Sequence, residues 1–144
     1  MDLKTFQALW SLEEISTSEL PKFATELLAQ NYDSESLCVL AGLDGSDWES
    51  VNFYFKKMLR EMDIIPLKKR EAGIILAKNI AKKIVSAEVD PEKGAREIWR
   101  ISRASDSPKE LDGFIVDVTD YEEHFPRNPE FLESITERAR KLLG

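Results

Sequence analysis

Apolar residues recur along this chain at intervals of three and four, the mark of one-sided α-helices, and the breaks between runs carry Ser, Asp, Asn, Pro or Gly. Leu3, Phe6, Leu9 and Trp10 predict a first helix from Asp2 to about Ile15. Ser16, Thr17 and Ser18 offer caps for a second, which tolerates Pro21 in its first turn, buries Phe23, Leu27 and Leu28, and closes at Asn31 and Tyr32. Asp33 and Ser34 can cap a short third helix bearing Leu37, Cys38, Leu40 and Ala41, which runs into the breaker LDGS. Ser46 and Glu49 have capping-box spacing and open a fourth, with Trp48, Val51, Phe55, Met58, Leu59 and Met62 on one face.

Pro66 pushes the residue before it out of helical space, so DIIP separates the fourth helix from a long fifth. Its inner stripe is Ile74, Ala77, Ala81, Ile84 and Val85, widened by Ile75 and Ile80, with Lys78 and Lys82 outside, and it should sit centrally. Asp90, Pro91 and Glu92 then start a sixth: a carboxylate cap, a proline whose missing N–H costs nothing in the first turn, and an acid at the positive end of the dipole. Gly94 and Ala95 leave room for another backbone, and Ile98, Trp99 and Ile101 supply bulk beyond them. Ser107, Pro108 and Glu110 form a second capping-box pattern before Leu111, Phe114, Ile115 and Val118. The run FIVDV at 114–118 can also be read as an isolated strand, without an evident partner. Asn128, Pro129 and Glu130 start a last helix with Leu132, Ile135, Ala139 and Leu142 inward.

These elements predict an all-α fold: a compact single-domain bundle of about six to seven helices with mixed crossing angles, spanning residues 1–144. The length suits one domain with a core that needs no staples. Cys38 is alone, which excludes an internal disulfide framework and points to the reducing cytoplasm. The apolar runs LCVLAGL and AGIILA are too short to span a bilayer, and the start MDLKTF lacks a basic leader segment, so no membrane association is expected.

Charge is unevenly spread. Residues 1–65 carry 12 acids and 5 bases, residues 66–103 carry 5 acids and 10 bases, and residues 104–144 carry 10 acids and 5 bases, for a whole-chain net of −7. Such a body disfavours nucleic acid, which needs an attractive field for phosphate, and suits a basic protein partner. The plainer reading is that the basic segment neutralises the acidic ones within the fold.

Candidate chemistry is sparse, and no catalytic, cofactor-binding or metal-binding residue is assigned. His124, with Asp120, Glu122 and Glu123, could contribute to a metal-dependent hydrolase, yet no HExxH or paired-histidine spacing places them on one helix face. Cys38 in SLCVLAGL reads as a small buried hydrophobe rather than a nucleophile. Glu13 with Glu14, or Asp44 with Asp47, could do acid–base work but fit solvated loops. AGLDG and EKGAR lack phosphate-loop spacing. A helix-turn-helix of ESLCVLAGL and DWESVNFYFKKML would put Asp47 and Glu49 where phosphates lie.

The motif order NYDSESLCVLAGL, DWESVNFYFKKMLREMDI, AKKIVSAEVDPEKGAREIWRI and FIVDV resembles a family of small all-helical bacterial proteins with no established activity, over about residues 17–125. The resemblance implies a helical cytoplasmic protein and nothing catalytic, and it supplies no functional residue; no cofactor is expected. The expectation is therefore a non-enzymatic protein-interaction module with an acidic surface, of which an immunity protein against a toxin is one form. The alternatives are nucleic-acid binding through the basic segment 68–83 (Lys68, Lys69, Arg70, Lys78, Lys82 and Lys83) or the metal-dependent hydrolase.

Overall fold

The computed structural model describes residues 2–123 and 128–144. Among them are eight α-helices and no strand: α1 (Leu3–Ser11), α2 (Leu20–Ala29), α3 (Glu35–Ala41), α4 (Trp48–Glu61), α5 (Lys69–Val85), α6 (Pro91–Ala104), α7 (Asp112–Glu123) and α8 (Glu130–Leu143). Short 3-10 turns at Thr17–Glu19 and Lys109–Leu111 lead into α2 and α7. The count exceeds the six to seven expected. Residues 114–118 are helical: Phe114, Asp117 and Val118 are buried at helical spacing, while Val116, which a strand would place on the face of Phe114 and Val118, is 54% exposed.

Caps and stops explain most boundaries. The Asp2, Ser34, Asp47 and Asp90 side chains accept hydrogen bonds from backbone N–H groups of Thr5 (2.7 Å), Leu37 (2.9 Å), Ser50 (3.3 Å) and Lys93 (3.2 Å). The cap of α4 is thus Asp47 and not Ser46, whose own N–H instead bonds Asp44 Oδ1 at 2.9 Å. The expected box at Ser107 and Glu110 does not form either, since Ser107 is spent closing α6, donating its N–H to Ser102 O at 2.8 Å.

That closure recurs. After α2, α4, α5 and α6 the chain turns through Asn31, Asp63, Ala87 and Asp106, with φ of 70°, 53°, 60° and 60°, and the next N–H reaches back to Leu27, Leu59, Lys83 and Ser102. This is the Schellman arrangement, usually built on glycine. Glu13, at φ 56°, likewise follows α1 and ends it at Ser11, short of Ile15.

Backbone proximity sorts the chain into two compact units: Met1–Leu12 with Lys68–Gly144, and Glu13–Leu67. In the second unit α2 packs on α3 and α3 on α4, burying Leu20, Phe23, Leu27, Leu37, Leu40, Val51, Phe55, Met58 and Leu59. Two expected core residues are not there. Trp48 stands at the first helical position and is 61% exposed, because angular position gives direction but not how far the covering helices extend. Cys38 is exposed: α3 buries Ser36, Leu37 and Leu40, and one residue past Leu37 the helix has turned about 100° away.

In the first unit α5 is central, as expected, touching α1, α6 and α8. Its buried positions are Ala72, Gly73, Leu76, Ala77, Ala81 and Ile84; Val85, expected inside, is exposed at the last turn. Ala77, Ala81 and Ile84 join Ala95, Ile98, Leu111, Phe114, Val118, Ile135 and Ala139 in one core. α5 and α6 run antiparallel and interlock twice. A Cβ on Gly94 would lie 2.6 Å from Ile84 Cδ1, and one on Gly73 would lie 2.0 Å from Ser105 Oγ. The room left by Gly94 is therefore filled by a side chain rather than by a second backbone.

Gly73→Ala and Gly94→Ala are each expected to destabilise the protein by about 1–3 kcal/mol through overpacking, and roughly additively at their separation. Gly42→Ala, whose Cβ would meet nothing nearer than 3.7 Å, is the control and should stay within about 0.5 kcal/mol. Ala87→Gly, which relieves a left-handed alanine, should raise stability by about 1 kcal/mol. Urea denaturation of the four variants checks all of these.

Candidate functional site

The residues singled out for chemistry are mostly occupied with structure. Asp47 caps α4, and Asp44 accepts the Ser46 N–H, a bond that holds its carboxyl below the usual aspartate range. Glu13 turns the chain after α1 and Glu14 is exposed. His124 lies outside the described residues. Of its neighbours, Asp120 is half-buried on α7, Glu122 pairs with Arg96 and Glu123 is exposed. Among the described residues no group of three or more His, Cys, Asp or Glu side chains gathers in a way that could hold a metal ion.

The basic segment does not form one surface. Lys68, Lys69, Arg70, Lys78, Lys82 and Lys83 are all exposed, but at about 100° per residue only Lys78 and Lys82 lie in a row, while Lys69 and Arg70 fan away round the first turn. On α4, the reader of a helix-turn-helix, Asp47 and Glu49 occupy the first turn and the exposed Lys56, Lys57 and Arg60 the far half. No helix among the described residues is long and apolar enough to cross a membrane.

What the two units do present is charge and apolar surface in distinct combinations. Glu13–Leu67 holds 11 acids and 4 bases, so the whole-chain net of −7 resides there. The other unit holds 16 of each. Its basic 66–103 and acidic 104–144 segments lie in the same unit and cancel, and the Arg96–Glu122 pair joins them directly. The acidic unit also exposes large apolar side chains: Trp48 at 61%, Phe53 at 54% and Ile65 at 84%. Phe53 meets Tyr54 edge-on at 5.1 Å.

Two polar locks hold helices in register beneath these surfaces. At the end of α4, Glu61 accepts both the hydroxyl and the N–H of Ser36 (2.9 Å for the latter), placing a carboxylate at the N-terminus of α3. The Ser36 hydroxyl, then its N–H, keep the Glu61 carboxyl below the usual glutamate range. On the other unit, Arg138 of α8 donates through Nε to Asp117 of α7 at 2.6 Å and lies where a Gly113 side chain would be. The Asp117 hydrogen bonds raise the Arg138 pKa. Neither lock was visible in the sequence, since the partners lie 25 and 21 residues apart with no motif joining them.

The surface depressions that accompany these features are shallow. One, of about 530 Å³, runs between α6 and α7 over Trp99, Ile115 and Val118; another, of about 460 Å³, lies at Ile74, Lys78, Arg138 and Leu142. Neither gathers the nucleophile, base and orienting group of a covalent catalyst. Comparison with protein families, with curated proteins and with solved structures returns no match, and the resemblance carried by AKKIVSAEVDPEKGAREIWRI rests on its motifs.

Because folded Glu61 binds its proton more weakly than the unfolded chain does, its bonds to Ser36 stabilise the fold at neutral pH. That contribution is lost as pH falls from the usual glutamate value, about 4.3, through the lower folded value. Glu61→Gln should therefore be less stable than the parent at pH 7, with the difference shrinking toward pH 3, as urea titrations across that range will read.

Proposed function

We propose that this chain is a non-enzymatic helical protein-interaction module, working in the cytoplasm, whose acidic unit Glu13–Leu67 receives a basic partner protein. The observation that carries this reading is the coincidence, within one unit, of the entire net charge of −7 with Trp48, Phe53 and Ile65 left open to solvent. Exposed aromatic side chains among polar neighbours are the usual anchors of an interface, and a negative field speeds and selects the approach of a basic surface. An immunity protein that sequesters a basic toxin is one concrete form, and it predicts a toxin gene beside this one.

Affinity capture from native lysate on the full chain should retain a specific, salt-sensitive protein. Its retention should fall at least tenfold for Trp48→Ala with Phe53→Ala, and for Glu26→Gln with Glu49→Gln, in variants shown by circular dichroism to be folded. Capture of no specific protein, or equal capture by the acid-neutralised variant, overturns the reading.

A further inference from the structure

α6 has an exposed face of unusual regularity. Lys93, Arg96, Arg100 and Arg103 follow one another at intervals of three, four and three, and Trp99 and Ala104 are the other exposed positions. The row spans ten residues, about 15 Å along the axis. Beside it lies the 530 Å³ groove whose floor is Trp99, Ile115 and Val118.

The four cations are not equivalent. Arg96 is held by Glu92 at 3.1 Å and by Glu122, and Arg100 is held by Glu97. The Glu97 carboxyl is kept below its usual range by the hydrogen bonds from Arg100. At the two ends of the row the situation differs. Among the described residues Lys93 has no ion-pair partner, and the Arg103 guanidinium lies 5.0 Å over the Trp99 ring without a carboxylate. The centre of the surface thus sets two arginines against three carboxylates around Trp99, while both ends are positive.

We propose that this α6–α7 groove is a docking site for an amphipathic helix of a partner protein, carrying acidic residues about ten positions apart at the two ends of an apolar stripe. Two neighbouring helices with an apolar seam accept a third by ridge-into-groove contact, and the seam is about as long as three helical turns. Arg96 and Arg100 already have carboxylate partners, whereas Lys93 and Arg103 each lack an anion that the occupant would bring. Trp99 is the anchor, half-open and centrally placed. A nucleic acid fits less well: its phosphates are continuous along the strand, and Glu97 and Glu122 stand in the rim against them. The surface lies wholly within the charge-neutral unit and asks for a partner of opposite sign to that of the acidic unit, so it stands independently of the function proposed above.

The test is selection of a displayed library of helical 15-residue peptides on the full chain, followed by fluorescence anisotropy with the enriched sequences. Enrichment of peptides with Asp or Glu ten positions apart around apolar residues is expected. Their affinity should fall about tenfold with Lys93→Glu or with Arg103→Glu and more with Trp99→Ala, and should recover when Lys93→Glu meets a peptide with the matching acid changed to Lys. Glu26→Gln with Glu49→Gln should leave it unchanged. The proposal is overturned by no enrichment, by enriched peptides without the acids, by binding indifferent to Trp99→Ala and Lys93→Glu, or by a single-stranded oligonucleotide that displaces the peptides at equal affinity.

Discussion

Ile84 occupies the space a side chain at residue 94 would need, and Ser105 occupies the space a side chain at residue 73 would need. Each helix of the α5–α6 hairpin contributes one glycine and one filler, and on both helices glycine and filler are eleven residues apart. Eleven residues are just over three whole turns, so both contacts fall on nearly the same side of each helix, about 16 Å apart. A hairpin pinned at two such points can neither slide nor rotate without collision. The remaining contacts of this unit follow from that register: Ala77, Ala81, Ala95 and Ile98 present a common floor, on which Phe114, Val118, Ile135 and Ala139 of α7 and α8 close. The Ser105 hydroxyl, bonded to Ile101 O at 2.6 Å, fills its seat without stranding a polar group.

Glycine is spent here on space and not on backbone conformation. Gly73 and Gly94 lie inside helices, where each costs helix propensity, and Gly113 gives Arg138 its way to Asp117. The left-handed turns that end helices fall instead to Asn31, Asp63, Ala87 and Asp106. Asn and Asp tolerate that region; Ala87 does not gain from it, and its position is held because Glu88 N–H must reach Lys83 O for the chain to reverse into α6. The short loop of the interlocked hairpin thus places an alanine in the left-handed region.

Legibility followed the range of the interaction. Helix starts written by a single side chain, such as Asp90 with Pro91, were readable, as were stripes in the middle of helices, such as Val51, Phe55 and Met58. Where two local signals competed, the arithmetic misled: Ser46 and Ser107 both matched a capping box, but Asp47 stands one residue nearer its helix and Ser107 was needed to close α6. Residues at helix ends or on short helices, such as Trp48, Val85 and Cys38, have angular positions that do not report which neighbours reach them. Gly73 was hidden inside the apolar run AGIILA because its partner Ser105 is 32 residues away and polar. The surfaces were less legible still. Charge read in linear segments put a basic block between two acidic ones, whereas the chain returns to place the basic block and the second acidic one in the same unit.

That redistribution decides what kind of partner each surface can take. Had the net charge of −7 been spread evenly over both units, the fields around their exposed aromatic residues would be alike. Instead the unit with Trp48 and Phe53 keeps the full negative balance, while the unit with Trp99 is neutral in sum, with Lys93 and Arg103 on either side of that ring. An aromatic anchor supplies contact energy that hardly depends on the partner's charge, and the field around it sets which partner arrives. An aromatic anchor in each of two different fields therefore favours partners of opposite charge for the two units.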